Sequence, residues 1–260
     1  MTKLMKYDIK KMMRILVYIY VVSLGLAIIT RLINIGKDIQ AIAIIGHVFA
    51  GLTYSAVGSI IVNTFVHILK VFTVGFYRDE SYLTHTLPVK KDKLLLSKYL
   101  SSIIVIISSV VVSALSLFIV LYSESLFNFI KQSLEMVVSG FNMSVGGFLT
   151  LMVLILFFQI CAMMSMAFAA IVKANTYNHK RIMKGLIWFA VFYFGSSIAT
   201  LITAVIVFAI GGNLSELLAS QMSNGSFMTI LILGLVLYFV YAIVFYIVTD
   251  KMFKKGVNVD

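Results

Sequence analysis

Charge and hydroxyl groups crowd around the chain's only proline, Pro88, in a segment from Phe76 to Lys98 that interrupts long apolar runs. Arg78, Asp79 and Glu80 come first, then Thr86, Leu87, Pro88 and Val89, then Lys90, Lys91, Asp92, Lys93 and Lys98. These groups suit ion pairing and docking rather than catalysis. Proline has a fixed φ suited to the first turn of a helix, and Thr86 stands ahead of it as a cap. The expectation is a short helix opened by Pro88 that carries Lys90 to Lys93, with Leu94, Leu95 and Leu96 running on towards the next apolar run. Tyr82, Leu83 and Leu87 supply apolar anchors. Such a helix lies across a membrane surface and shows its charge to something in water. The plainer reading is a snorkelling loop.

Other chemistry is sparse. His47, His67, His85 and His179 form no metal-binding pair, and Cys161 has no histidine in a nucleophile pattern. Gly36-Lys37 lacks the remainder of a phosphate loop. Carboxylates are missing from the apolar runs, which counts against proton- or sodium-coupled transport. The expectation is a chain that is not an enzyme, with no catalytic residue, metal or cofactor of its own.

One further pattern stands out. His47, Gly51, Ser55, Ser59, Asn63 and His67 recur every four residues and place small or polar groups along a winding ridge. Small residues at this spacing let helices approach closely. The ridge reads either as a tight helix–helix seam or as the lining of a substrate path or subunit interface, with Ile60 facing lipid. Gln159 is a similar candidate, with Asn63 or Ser59 as a hydrogen-bond partner.

The elements that must position these groups follow from composition. A 61% hydrophobic content and a mean hydropathy of +1.05 are too apolar for a soluble domain of 260 residues. Runs at about 15–35, 41–69, 99–122, 147–172, 185–210 and 227–249 are each long enough to cross the roughly 30 Å of bilayer hydrocarbon as a helix. None alternates like a barrel strand. The expected fold is all-α: one domain of six transmembrane helices. No remaining segment is long enough to bury a soluble core.

Lys and Arg set the orientation. Eighteen of the 21 fall before the first run, between the second and third, between the fourth and fifth, or after the sixth. Only Arg31, Lys37 and Lys131 fall on the other side. Both termini and the Pro88 segment are therefore expected in the cytoplasm. The net charge of +11 is inside charge attracted to anionic lipid, not a nucleic-acid footprint. The first apolar run is too long for a cleaved signal and no cleavage site follows it. The lone Cys161 offers no disulfide framework.

Residues 3–16 are amphipathic, with Lys3, Lys6, Lys10, Lys11 and Arg14 opposite Met5, Ile9, Met12, Met13 and Leu16. An interfacial helix that turns into the first span is expected there. On the outer side, Leu126, Ile130, Leu134 and Val137 have helical spacing. Before the last span, Asn213 and Glu216 suit the start of a short helix and Gly225 its end.

The segment after Glu80 resembles the loop between spans two and three of export-type ABC transporter permeases. Those loops run from an acidic residue through a threonine- and leucine-rich turn to Pro, basic residues and a Lys that opens span three. The matching residues are Glu80, Leu83-Thr84, Leu87-Pro88-Val89, Lys90-Lys91 and Lys98. Tyr82 to Val89 is similar to the Gly-Tyr-Leu-Thr-x-Thr-Leu-Pro-Val core of small Firmicute permeases, with Ser81 in place of the glycine.

The resemblance implies a coupling helix over Thr86 to Lys93 that contacts a cytosolic ATPase, and a Glu80 that braces the end of span two. It implies ATP and magnesium bound by that partner, a second permease copy or homologue, and a multi-pass protein of the bacterial cytoplasmic membrane. A rival reading is a membrane regulatory, scaffold or immunity-type protein. A channel, conducting without ATP, is a third. The transported substrate is not legible in the sequence.

Overall fold

In a computed structural model, the apolar runs lie within helices that extend well past them. The structure describes residues 2–36, 39–78, 80–86, 89–141, 143–177, 179–211, 214–217 and 223–255, with only the backbone at 83–85, 124–126 and 216–217. The helices are α1 (Thr2–Ile35), α2 (Gln40–Tyr77), α3 (Ser81–Thr86), α4 (Lys91–Leu121), α5 (Glu124–Ser139), α6 (Val145–Ala174), α7 (Arg181–Ile210) and α8 (Asn224–Lys254), with a 3-10 turn at Leu214–Leu217. Among the described residues there is no strand. The six helices α1, α2, α4, α6, α7 and α8 are long and apolar enough to cross a membrane. At 1.5 Å per residue the 38 residues of α2 reach about 57 Å, well beyond a hydrocarbon core of about 30 Å.

Within α5 the chain divides into two compact units, Met1–Asn128 and Phe129–Asp260. In the first unit α1 and α4 run parallel and α2 runs against both. Ser97 and Lys98 at the start of α4 meet Asp8 near the start of α1, and Ser116 further along α4 meets Ser23 of α1. α2 is reversed, with Thr53 against Thr30 and Thr64 against Ser109.

The seam of this unit is polar. Lys98, Ser102, Val105, Ser109, Ser116 and Val120 of α4 are buried at alternating steps of three, four and seven, joined by Ser101 and Ser113. The mean step is about 3.7 residues, so these positions keep to one face of an ordinary α-helix. Serine serves here because its small side chain lets backbones approach. The Ser101, Ser109 and Ser116 hydroxyls also bond across the seam, while Ser102 donates to the Lys98 carbonyl of its own helix and Ser113 Oγ has no partner among the described residues. Ser109 contacts the Tyr20 hydroxyl, and also the Thr64 hydroxyl at 2.7 Å. Thr30 and Thr53 meet at 2.9 Å, and Ser23 donates to Ser116 at 3.2 Å. Apolar residues fill the remainder, with Met12, Leu16, Ile60, Ile68, Phe72, Phe76, Leu95 and Val105 fully or almost fully buried.

In the second unit α6 and α8 run parallel, with α7 reversed between them in sequence. Phe158 packs edge-on against Phe239, and Ser165 donates to the Ala242 carbonyl at 3.0 Å. The Tyr241 hydroxyl reaches Ser196 and Thr200 of α7. Ser144 and Ser223 cap the first turns of α6 and α8, accepting from the Gly147 and Ser226 amides. The second half of α6, Cys161 to Ala174, is buried at nearly every position. α7 instead leaves Leu186, Phe194, Ile198 and Leu201 widely exposed, as suits a face against lipid.

Some expected details take another form. No turn separates residues 3–16 from the first span, since α1 is one helix from Thr2 to Ile35. Its opposite face has a packing partner from the start, for Met12 and Leu16 are fully buried. The helix expected within the 124–139 segment forms as α5. In the last loop, Gly225 lies in the first turn of α8 instead of ending a helix, and Asn213 is outside the described residues.

Candidate functional site

The first unit gathers most of its charge at one end, where α1 and α4 begin and α2 finishes. Lys98 Nζ donates to Asp8 Oδ1, and Ser97 Oγ donates to Asp8 Oδ2 at 3.2 Å. The Lys98 and Asp8 side chains are only 10% and 14% exposed, so the pair is withdrawn from water. Gly75 of α2 makes the room for it. A Cβ there would come within 3.3 Å of Lys98 Nζ, tighter than ordinary contact. A buried charge is tolerated only with a partner, and three helices converge here to supply one.

A second ion pair lies nearer the surface. Lys11 Nζ donates to both carboxylate oxygens of Glu80, with side chains 36% and 45% exposed. The contact ties α1 to the segment after α2. The Ser81 amide donates to the Arg78 carbonyl at 2.7 Å as that segment folds into α3.

The docking residues expected from sequence divide between these elements. Thr86 is the last, exposed residue of α3, not the cap of a later helix. Leu87 and Pro88 lie outside the described residues. Val89 is half-buried, and Lys90 is extended at φ −61° and ψ 139° as the N-cap of α4. Lys91, Asp92 and Lys93 are exposed in the first turn of α4 itself. The separate helix expected from Pro88 to Lys93 is thus replaced by α3 before the proline and by the start of the long α4 after it. Asp92 favours that start, since an acidic side chain suits the positive end of a helix dipole. Lys90, Lys91 and Lys93 stand exposed beside it.

The four-residue ridge of α2 fares differently. His47, Gly51, Ser55, Ser59 and Asn63 are exposed, and His67 is half-buried with its Nε2 unsatisfied. Asn63 donates to the Ser59 hydroxyl and carbonyl, both at 2.8 Å, so its amide is used within its own helix. The packed face is Thr53, Val57, Ile60, Thr64, Ile68 and Val71. Ile60, expected against lipid, is fully buried. Each four-residue step turns about 40° beyond a full circle, so six such positions sweep about 200° and do not share one seam. The packed set mixes threes and fours and stays on one face. Gln159 is half-buried in α6.

Asp8, Lys11 and Gly75 were not singled out by the sequence as site residues. The one usable signal was Asp8, the only acid among five cations of the first 14 residues. No family model, curated protein or solved structure matches the chain.

Proposed function

We propose that the chain is the membrane-spanning permease subunit of an ABC exporter in the bacterial cytoplasmic membrane. The exposed trio Lys90, Lys91 and Lys93 carries this reading. It stands at the charged end of the first unit, in the segment whose sequence resembles a permease coupling loop. The charge distribution supports a cytoplasmic position for that end and for both termini. The ATPase is a separate chain that binds ATP and magnesium, and a second permease copy or homologue completes the path. The outward ridge from His47 to Asn63 supports a contact beyond the first unit, either with that second copy or with the path.

The mechanism follows from the continuity of α4. Closure of the ATPase dimer pushes on the α3 segment and on the first turn of α4. A helix of 31 residues is a rod about 46 Å long, so motion at Lys91 is passed towards Leu121. The Asp8–Lys98 pair couples the same motion to α1. Glu80, held by Lys11, keeps the receiving segment against the helices that must move.

The test replaces Lys90, Lys91 and Lys93 together by Glu. Membrane insertion stays normal while ATP hydrolysis no longer drives export. Unchanged export in the triple variant defeats the proposal.

A further inference from the structure

Two adjoining grooves open on the charged half of α1. One, of about 560 Å³, has Asp8, Lys10, Lys11, Arg14, Glu80 and Lys98 in its lining. The other, of about 520 Å³, is lined by Lys10, Met13, Arg14 and Val17. Lys10 and Arg14 border both.

The charges in the first groove do not balance. Lys98 is committed to Asp8 and Lys11 to Glu80. Lys10 and Arg14 have no ion-pair or hydrogen-bond partner among the described residues, which leaves two surplus cations. They are exposed and one turn apart on α1. Two anchored carboxylates nearby do not cancel them, because each already faces its own lysine.

The second groove continues this charge into apolar surface. Lys10, Met13, Arg14 and Val17 form one stripe at i, i+3, i+4 and i+7. Val17 is 44% exposed, and Val21, one turn further, is 65% exposed. The sequence along this face therefore runs from two unpaired cations to hydrocarbon-compatible side chains. A soluble anion uses only the first part of such a surface. A phospholipid uses both.

We propose that this face of α1 is a binding site for an anionic phospholipid, the phosphate between Lys10 and Arg14 and an acyl chain along Met13, Val17 and Val21. Arginine and lysine both donate to phosphate oxygens, and arginine does so through its planar fork. The site differs from general attraction of a basic surface to a membrane, because it depends on two named cations rather than on total charge.

The experiment uses the purified full-length chain in a neutral detergent, where no bilayer surface contributes diffuse attraction. Native mass spectrometry measures retention of phosphatidylglycerol against phosphatidylcholine. The unaltered chain retains phosphatidylglycerol preferentially. The double variant Lys10→Gln/Arg14→Gln loses about 25-fold in that preference, taking about fivefold for each cation near the headgroup. A control, Lys251→Gln/Lys255→Gln, keeps it. Both altered pairs preserve the apolar core, since each replaced side chain is exposed. Equal loss in the control means diffuse electrostatics and overturns the site. So does an unaltered preference in the Lys10/Arg14 variant. Displacement of the lipid by excess inorganic phosphate, with no contribution from the acyl chain, replaces the lipid site with a simple anion site.

Discussion

Asp8→Asn leaves the Lys98 ammonium buried beside Gly75 with its counter-charge gone. The Lys98 side chain is 10% exposed and the Asp8 side chain 14%, so solvent screening is slight. Breaking a buried pair by removing one partner costs about 3–5 kcal/mol, because the remaining charge stays uncompensated. Lys98→Met strands the Asp8 carboxylate in the same way, softened by the Ser97 hydroxyl that still donates to it. The double variant Asp8→Asn/Lys98→Met removes both charges at nearly constant volume, and such replacements are often neutral or stabilising. The expected coupling between the two positions is therefore about 3 kcal/mol or more.

SDS unfolding of the full chain in mixed micelles measures this, followed by far-UV circular dichroism. Trp188 is the only tryptophan and lies in the second unit, so its fluorescence gives a concurrent reference for that unit. Each single variant unfolds at lower SDS and the double recovers. Single variants that each cost under about 1 kcal/mol, or a double as unstable as their sum, refute the buried pair.

Two further outcomes test the packing and the loop. Ile60→Ala opens a cavity in the first unit and costs about 2–5 kcal/mol, whereas Ser55→Leu on the exposed ridge leaves unfolding unchanged; equal damage from both defeats the outward placement of that ridge. With Cys161 replaced by Ala, cysteines introduced at Lys11 and Glu80 cross-link under mild oxidation, whereas the same cysteine at Glu80 paired with one at Lys3 does not. Equal yields for the two pairs separate α1 from the segment after α2.

Hydropathy located the six long helices, and their ends on the less charged side agree closely with the expected spans. The first run was expected to end at about 35, and α1 ends at Ile35; the fifth was expected to end at about 210, and α7 ends at Ile210. The charged ends agree less well. α2 continues to Tyr77 and α4 begins at Lys91, each about eight residues beyond the apolar run. Hydropathy marks hydrocarbon, not helix, and a helix continues into polar surroundings when its charges find partners. Asp8, Lys98, Lys11 and Glu80 are those partners, and their pairing joins residues about 70 to 90 positions apart, which local pattern does not show.

As a seam within the first unit the ridge on α2 fails for a geometrical reason, its strict fourfold spacing being a winding path rather than a face; the reading as a path lining or subunit interface is untouched by this. The seam is legible in principle in the serines of α4, whose mixed steps of three and four keep to the packed side. Hydropathy treats those serines as mild interruptions of an apolar run, while packing uses them as its closest contacts.

The proposed function rests on a separate motor docking at the exposed lysines beside Asp92. The most direct measurement isolates the full chain from native membranes in mild detergent and identifies by mass spectrometry what stays bound. The expected companion is a soluble ATPase in stoichiometric amount, hydrolysing ATP, and lost from the Lys90→Glu/Lys91→Glu/Lys93→Glu variant. A chain that purifies without any ATPase, or with one that the triple variant holds equally well, contradicts it.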